Sequence, residues 1–192
     1  DDQVAEDQKD YRQIAILGVD ARIMSNYDGS RSDAILILNI NKKTGEIKMI
    51  SIMRDTYLEI YNREGELYFD KITNAHGIGG GVNTCRSLNR NLDLSIREYA
   101  IFNWKAVADT VDALGGVTVE IKENELYDLN KYGQQTGDVV GRPFKAVMSA
   151  GIQELDGVQA ASYCRIRKTS GGDSQRAERM KKVIEALFVE AK

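Results

Sequence analysis

The stretch Ile14-Ala15-Ile16-Leu17-Gly18-Val19 stands near the start of the chain, between polar segments. A short, continuous apolar run of this kind is typical of a strand buried at the centre of a sheet. The run ends at Asp20, where the strand leaves the core. Because ligands of open α/β sheets gather at the carboxyl ends of strands, we expect this end of the sheet to border a site.

The sequence that follows supplies further strands. Residues 34–40 and 46–52 are joined by the turn-forming residues 41–45, which predicts a β-hairpin. Residues 56–60 are expected to extend the second of these strands along an edge. Three more strands are predicted at residues 99–102, 117–121 and 164–167.

Helical spacing of apolar residues predicts the intervening helices. Asn103 is expected to cap a helix over residues 104–114, which the following glycines end. Residues 122–147 are polar, hold the single proline, and are interpreted as a surface excursion that acts as a lid or substrate rim. The remaining helices are predicted at residues 82–92, 152–162 and 175–191. Alternating strands and helices therefore predict a single α/β domain over residues 1–192, a three-layer α/β/α arrangement with a central mixed β-sheet.

Composition narrows the class of protein. The chain has 192 residues, of which 42% are hydrophobic and 29% charged, as in an ordinary soluble globular domain. Its net charge of −3 gives no general basic field, so no nucleic acid is expected as a partner. No run approaches the ~20 apolar residues that a membrane-spanning helix needs. Since the sequence begins at Asp1, we expect a processed chain that has lost an N-terminal signal or anchor.

Three residue types that often carry chemistry receive structural interpretations. Cys85 and Cys164 form no metal-ligand pattern and are interpreted as two small buried side chains, with a single disulfide as the alternative. His76 has no Ser or Cys partner at a familiar spacing and is interpreted as structural. Glycines 79–81 lack P-loop spacing, which favours a tight helix–helix connection over a phosphate loop.

Basic side chains concentrate in residues 163–179, near the end of the chain. If residues 164–167 form a strand, alternation sends Arg165 and Arg167 to one face, about 6.5–7 Å apart. The planar fork of arginine donates two hydrogen bonds at once and therefore suits phosphate.

Two further arginines follow the polar turn at residues 168–173. Arg176 and Arg179 stand at i and i+3, on one side of the start of the last helix. Cations there oppose the positive end of the helix dipole, which favours a bound anion at this point. The alternative is a solvated helix face whose arginines pair with Glu178 and Glu185.

Carboxylates at strand ends form a second candidate site. Asp20 and Asp33 border the first two strands, with Arg31 and Arg54 beside them. Buried strand ends tolerate carboxylates that are paired or bind a metal, and hard oxygen ligands near phosphate suit Mg²⁺. The alternative is that these Asp and Arg residues only pair with one another.

Seven short blocks, in order along the chain, carry a further signal. They are I-L-G-V-D at 16–20, R-S-D-A-I-L at 31–36, S-I-M-R-D-T at 51–56, K-I-T-N-A at 71–75, L-G-G-V at 114–117, L-D-G-V-Q-A at 155–160 leading to R-I-R at 165–167, and G-D at 172–173 followed by Arg176 and Arg179. In this order the blocks resemble the LytR-CpsA-Psr family of extracytoplasmic catalytic domains, over residues 14–189. The chain departs from the family pattern at Met53, Gln175, Ala177 and Met180, and the last change removes a polar group that would help hold a phosphate.

The resemblance implies an enzyme that moves a glycopolymer from an undecaprenyl-diphosphate carrier to peptidoglycan. It implies Mg²⁺, with Mn²⁺ as the alternative ion, held by Asp20 and Asp33. Asp173 is the candidate general base or acceptor-positioning group. Catalytic roles also fall on Arg31, Asp33 and Arg54. The residues implied in binding the diphosphate are Arg31, Arg54, Lys71, Arg165, Arg167, Arg176 and Arg179.

The resemblance also implies surroundings for the domain. An apolar tunnel for the lipid is expected beside Val107, Val111 and Val183, and an N-terminal membrane anchor is expected to hold the protein outside the cytoplasm, facing the cell wall. The polymer moved is teichoic acid, capsule or another wall polysaccharide. Two alternatives to the transferase are kept: a polyprenyl-diphosphate hydrolase with water as acceptor, and a non-catalytic module that only binds polyprenyl phosphates.

Overall fold

A computed structural model of the chain describes residues 2–19, 29–167 and 172–190. The chain folds as two compact units, Asp1–Phe102 and Asn103–Lys192. The elements of the first unit are α1 (Asp2–Asp7), β1 (Tyr11–Val19), β2 (Ser32–Asn41), β3 (Ile47–Ile52), β4 (Tyr57–Tyr61), β5 (Leu67–Lys71), α2 (Ile72–Leu92) and β6 (Glu98–Phe102). Those of the second are α3 (Trp104–Ala113), β7 (Val117–Ile121), α4 (Glu123–Val140), β8 (Gly151–Leu155), α5 (Gly157–Arg165) and α6 (Gly172–Glu190).

The first unit contains a mixed four-stranded sheet in the order β3-β2-β1-β6. β1 runs antiparallel to β2 and parallel to β6, and β2 runs antiparallel to β3. Ala15 and Leu17 on β1 are fully buried, as the apolar run predicted for a central strand. The predicted hairpin, the central strand and the mixed α/β fold class are therefore confirmed.

One apolar cluster holds this unit together. Leu17 and Ile35 from the sheet pack with Ile72 and Leu88 from α2 and with Ile60 from β4. Each of these side chains is removed almost completely from water, and burial of one such side chain stabilises a fold by about 1.5–3 kcal/mol. The cluster therefore fixes α2 and the β4 strand relative to the sheet.

Residues 56–60 do not extend β3, so that prediction is wrong. The backbone N–H of Thr56 donates to the carbonyl of Met53 at 2.9 Å, which closes a turn after β3. The chain then enters β4, which pairs antiparallel with β5 in a separate two-stranded sheet.

Glycines 79–81 lie inside α2 rather than before it. Gly79 and Gly80 have non-helical backbone angles, and Gly80 has φ 64°, a value that glycine adopts without steric cost. The Asn83 amide donates to the carbonyls of Ala75 and Tyr61, each at 3.0 Å, and so ties the two arms of the kinked helix. The interpretation as a tight helix–helix connection is confirmed, although α2 begins at Ile72.

The start of the second unit follows the sequence closely. The Asn103 side chain accepts a hydrogen bond from the backbone N–H of Ala106 at 2.8 Å, which is the predicted cap of α3. β7 pairs antiparallel with β8, and Val117, Val119 and Ile121 on β7 are buried.

The interpretation of residues 122–147 as a surface excursion is wrong. Most of this segment is helix α4, and its buried face carries Glu125, Asp128, Thr136 and two glycines. Leu129 is one of only a few large apolar residues on that face within the described helix. The buried stripe is polar or bears no side chain, so no apolar period marks it in the sequence.

The helix predicted over residues 152–162 is confirmed only for residues 157–162, and the strand predicted over residues 164–167 is wrong. Residues 151–155 form β8, and α5 begins after Asp156, whose side chain accepts from the backbone N–H of Gln159 at 2.9 Å. Arg165 is therefore the last residue of a helix, and strand alternation does not relate it to Arg167. Similarly, α6 begins at Gly172 and places Arg176 beyond its first turn.

Cys85 and Cys164 are free and buried, as their structural interpretation predicted. Burial raises the pKa of the Cys85 thiol to about 11 and that of Cys164 to about 12. None of the helices in the described ranges is long and apolar enough to cross a membrane.

Candidate functional site

A chain of ion pairs joins four charged residues in the first unit. Arg54 Nη1 lies 2.8 Å from Asp33 Oδ1, and Arg54 Nε lies 3.5 Å from Asp55 Oδ2. Lys71 Nζ lies 2.7 Å from Asp55 Oδ1. We call Asp33, Arg54, Asp55 and Lys71 the Arg54 cluster. Two predicted site residues of the hairpin, Asp33 and Arg54, are thus in direct contact, as the simple pairing interpretation required.

The backbone explains why these residues meet. Asp33 lies at the start of β2, Arg54 in the turn after β3, and Lys71 at the end of β5, directly before α2. The Thr73 backbone N–H donates to the carbonyl of Arg54 at 3.1 Å, and its hydroxyl donates to the carbonyl of Ser32 at 2.8 Å. The first turn of α2 therefore holds the strand ends that carry the cluster.

The Arg54 cluster is open to solvent on one side. The Asp33 side chain is 13% exposed and that of Arg54 is 32% exposed, whereas about half of the Asp55 and Lys71 side chains is exposed. A hydrogen bond from Lys71, together with the positive charges of Lys71 and Arg54, lowers the pKa of Asp55 below its ordinary value. The cluster therefore combines two basic and two acidic side chains that pair with one another.

The arrangement of the strand ends fits a magnesium site in part. Val19, the last residue of β1, is the register partner of Ser32, so the end of β1 and the start of β2, which carries Asp33, lie at the same end of the sheet. Asp20 follows Val19 in the sequence but lies outside the described residues. Within the described ranges, no group of three His, Cys, Asp or Glu side chains is arranged to hold a metal. Such a site would thus rely on two carboxylates and the oxygens of a bound phosphate, which is a donor set that Mg²⁺ accepts.

The second unit holds Arg165 by contacts on three sides. Its Nη1 donates to the Thr136 hydroxyl at 2.9 Å, and its Nη2 donates to Gln135 Oε1 at 3.0 Å. The guanidinium carbon lies 5.8 Å from the centroid of the Trp104 ring. Both hydrogen-bond acceptors come from α4, the helix that the sequence did not reveal.

Arg179 makes a buried ion pair. Its Nε lies 2.8 Å from Glu125 Oε1, and its Nη1 donates to the carbonyl of Ile166 at 3.0 Å. Its Nη2 donates to Gln175 Oε1 at 3.1 Å. The alternative of a solvated helix face paired with Glu178 and Glu185 is wrong, because Arg176 and Arg179 are both buried.

The other predicted site residues are distributed over both units. Arg31 is exposed directly before β2, and Arg167 is exposed after α5. Asp173 lies in the first turn of α6, with its side chain outside the described part of the chain. Of the residues predicted to line a lipid tunnel, Val111 and Val183 are buried and Val107 is partly buried.

The contacts of His76 agree with its structural interpretation, whereas those of Asp55 were not predicted. His76 is fully buried, and its Nδ1 lies 2.7 Å from the carbonyl of Ser30, which agrees with a structural role. Asp55 is not among the site residues that the sequence predicts, although it contacts both Lys71 and Arg54. Its position directly after Arg54 in an Arg-Asp doublet was the available signal.

Comparison with known proteins identifies the class of protein that has this fold. The model of the LytR_cpsA_psr family matches residues 1–192, and the chain belongs to that family. It is 33% identical over 186 residues to the polyisoprenyl-teichoic acid–peptidoglycan teichoic acid transferase TagT of Bacillus subtilis (strain 168), covering 96% of this chain and 54% of TagT. The chain thus spans about half the length of the curated relatives it matches.

Solved structures of similar sequence share the fold. The structure of TagT bound to LI-WTA superimposes with a TM-score of 0.76 at 33% identity, over 95% of this chain and 65% of that one. The structure of YwtF (TagT) with bound octaprenyl pyrophosphate lipid has a TM-score of 0.72 at 30% identity, over 96% of this chain and 66% of that one.

Proposed function

We propose that this protein is a phosphotransferase that moves a glycopolymer from an undecaprenyl-diphosphate carrier to peptidoglycan. Membership of the LytR_cpsA_psr family supports this reaction, as does the similarity to TagT, a named teichoic acid transferase. The related structure with octaprenyl pyrophosphate supports a polyprenyl diphosphate as the donor class.

The transfer is a displacement at phosphorus. An acceptor hydroxyl attacks the phosphorus atom that carries the polymer, and the new phosphorus–oxygen bond forms as the bond to the bridging oxygen breaks. Polyprenyl monophosphate leaves with that oxygen, and the hydroxyl proton passes to a base. We assign the base or acceptor-positioning role to Asp173.

The Arg54 cluster is the observation that carries the proposal. A diphosphate brings several negative charges, and catalysis of phosphoryl transfer consists largely of positioning and neutralising them. Arg54 and Lys71 offer two cations within one continuous set of ion pairs, and Asp33 and Asp55 hold both in place. Binding exchanges part of this internal pairing for contacts with phosphate oxygens, to which a guanidinium donates bidentately. Arg31, which is exposed directly before β2, is proposed as a further contact to the diphosphate.

Mg²⁺, or Mn²⁺ in its place, is proposed as the cofactor. Asp33, with Asp20, would hold the ion against the diphosphate, where it would neutralise charge that repels the acceptor hydroxyl. The 2.8 Å ion pair with Arg54 restrains the Asp33 side chain.

The arginines of the second unit are proposed as additional phosphate-binding groups. Arg165 is fixed by Thr136 and Gln135, so little conformational entropy is lost when it binds an anion. Arg167 and Arg176 complete the proposed set, and Arg179 supports it from the buried pair with Glu125.

The decisive experiment is calorimetric binding of a short-chain polyprenyl diphosphate to the chain, with and without Mg²⁺. Wild type is compared with Arg54→Ala and Arg165→Ala. Arg12→Ala is the matched control, because Arg12, near the start of β1, also makes an ion pair, with Glu98 on β6. We expect Mg²⁺-sensitive binding that weakens at least tenfold in the first two variants and is unchanged in the third. Each lost charge-assisted contact accounts for about tenfold.

The product then distinguishes the remaining functions. With a lipid-linked glycopolymer and uncrosslinked glycan strands, a transferase forms a phosphodiester between them, whereas a hydrolase releases phosphorylated polymer. Binding without turnover would identify a non-catalytic module, and no binding by wild type would contradict the proposal.

The polymer and the location follow from the donor in this proposal. A polyprenyl carrier is membrane-bound, so we place the enzyme at the outer face of the cell membrane, held there by an N-terminal anchor and facing the wall. Teichoic acid is the proposed polymer because the similar transferases are named for it, with capsule polysaccharide as the second choice.

A further inference from the structure

Two aromatic rings lie exposed and nearly parallel on the β4–β5 hairpin. The centroids of Tyr57 and Phe69 are 6.1 Å apart, and their planes differ by 15°. Tyr57 is 65% exposed and Phe69 is 59% exposed. The opposite face of the hairpin carries Leu58 and Ile60, which pack into or against the apolar cluster of the unit. The two rings therefore form the outer face of an element that is fixed from behind.

This pair of rings, which we call the aromatic platform, adjoins the Arg54 cluster. Tyr57 is the cross-strand partner of Lys71, and directly paired side chains point to the same face of a hairpin. Lys71 in turn contacts Asp55, which precedes Tyr57 by two residues. One strand end therefore connects the platform to the charged groups proposed to bind the donor.

We propose that the aromatic platform binds the sugar chain of the acceptor, so that a hydroxyl of the stacked glycan is presented at the Arg54 cluster. This proposal rests on the proposed function and names the site of its second substrate. A pyranose ring has an apolar face of C–H groups, and these carry partial positive charge that is attracted to the negative face of an aromatic ring. Its equatorial hydroxyl groups donate hydrogen bonds to carboxylates, and Asp55 lies at the edge of the platform.

The charges around the platform favour a neutral glycan over an anionic membrane. Lys71 is paired with Asp55, and Arg90, on α2, is paired with Glu59 on the same face. Attraction to anionic lipid needs a local excess of Lys and Arg, and here Lys71 and Arg90 each lie beside a carboxylate. Two rings also provide far less area than the ~1,200 Å² that a stable contact between two copies of the chain needs.

The test compares glycan binding and donor binding in the same set of variants. The double variant Tyr57→Ser/Phe69→Ser removes both rings, and Tyr57→Leu/Phe69→Leu keeps apolar side chains but loses the flat faces. Tyr127→Ser is the matched control, because Tyr127 is 73% exposed on α4 in the other unit. Uncrosslinked peptidoglycan glycan strands are the acceptor probe, a short-chain polyprenyl diphosphate is the donor probe, and phosphatidylglycerol vesicles are the membrane probe.

We expect both double variants to bind the glycan strands about tenfold more weakly, with a matching rise in the acceptor KM. Donor binding should change by no more than about twofold, and Tyr127→Ser should bind glycan like wild type. Unchanged glycan binding in both double variants would overturn the proposal, as would full binding by the leucine pair. Vesicle binding by wild type that is lost in both double variants would replace the glycan with a membrane surface.

The two proposals fail in different ways. Wild-type protein that binds no polyprenyl diphosphate would contradict the proposed function, whatever the platform binds. Wild-type protein that binds donor and transfers polymer, while the double variants keep their acceptor KM, would overturn only the assignment of the aromatic platform.

Discussion

Arg179 Nε donates to Glu125 Oε1 at 2.8 Å, and the two side chains are only 3% and 5% exposed. Glu125 also accepts from the backbone N–H of Lys122 at 3.0 Å, and the Tyr163 hydroxyl lies 3.4 Å from its second oxygen. Burial, reinforced by the charge of Glu125, raises the pKa of Tyr163 above its ordinary range. One buried pair thus links the start of α4, the end of α5 and α6.

Breaking this pair should destabilise the protein strongly. Arg179→Met leaves the Glu125 carboxylate buried without its cation, and such an uncompensated charge costs about 3–5 kcal/mol. The free energy of unfolding from urea titration is the measurement. In Glu125→Leu/Arg179→Met neither charge remains, so this double variant should be more stable than Arg179→Met alone.

A surface ion pair on the same helix provides the control. Lys181 Nζ lies 3.8 Å from Glu185 Oε1, and both side chains are substantially exposed. Glu185→Gln should change the free energy of unfolding by no more than about 0.5 kcal/mol. A loss below about 1 kcal/mol in Arg179→Met would mean that Glu125 reaches water or another partner, and the buried-pair interpretation would be wrong.

The elements that the sequence predicted correctly share one property: each is marked by a local sequence pattern, either a run of apolar residues or a capping residue. β1 and β2 are continuous apolar runs, and the Asn103 cap marks the start of α3. Helix α4 was missed because its buried face is made of Glu125, Thr136 and glycines, whose burial depends on partners distant in the chain. No local pattern encodes Arg179 as the partner of Glu125.

The contacts of the candidate site also differ in whether a local sequence pattern predicts them. The contact between Asp33 and Arg54 was foreseeable, because both end strands of one hairpin. The contact of Asp55 with Lys71 requires the register of β4 against β5. The strand predicted around Arg165 is wrong, because Arg165 ends helix α5. Reciprocal capping by Asp156 and Gln159 starts that helix. Sequence therefore predicted the contact of Asp33 with Arg54 but not the contacts that hold Asp55 and Arg165.

Support of Arg165 by α4 gives a second prediction. Thr136→Val keeps the shape of the side chain but removes the hydroxyl that accepts from Arg165 at 2.9 Å. Because a hydrogen bond to a charged group contributes about 1.5–3 kcal/mol, we expect the affinity for polyprenyl diphosphate to fall about tenfold or more. Calorimetry measures this loss, and thermal unfolding reports the accompanying change in stability.

The control for this variant is Thr118→Val on the exposed face of β7. It should leave donor affinity and stability unchanged. A Thr136→Val protein that loses stability but binds the donor like wild type would show that Arg165 does not need this support to bind phosphate.

The pairing of Asp55 with Lys71 gives a prediction about pH. The hydrogen bond and positive charge of Lys71 lower the pKa of Asp55, so Lys71→Met should raise this pKa toward the ordinary value of about 3.9. A carboxyl group with a lowered pKa contributes stability that is present above its unfolded-state pKa and is lost as pH falls through the folded value. In wild type, ionised Asp55 should therefore persist below pH ~4.

Carboxyl carbon shifts in an NMR titration measure the pKa of Asp55 directly. Lys105→Met, which removes the cation paired with Asp109, is the control and should leave the Asp55 titration unaffected. An identical Asp55 titration in wild type and Lys71→Met would contradict the 2.7 Å contact.

The close approach of α3 and α5 gives the last prediction. A Cβ atom on Gly157 would overlap the backbone of Ala108, and the Gly157 N–H donates to Asp112 Oδ1 at 2.6 Å. Backbone cannot move aside as a flexible side chain does, so Gly157→Ala should cost about 1–3 kcal/mol in the free energy of unfolding.

Gly77→Ala is the matched control for Gly157→Ala, because its Cβ would meet nothing nearer than the Ser30 carbonyl at 3.9 Å. Alanine is favoured over glycine inside a helix by about 0.5–1 kcal/mol, so this variant should be more stable than wild type. If both substitutions changed urea unfolding by the same amount and sign, the two helices would not be in backbone contact at Gly157.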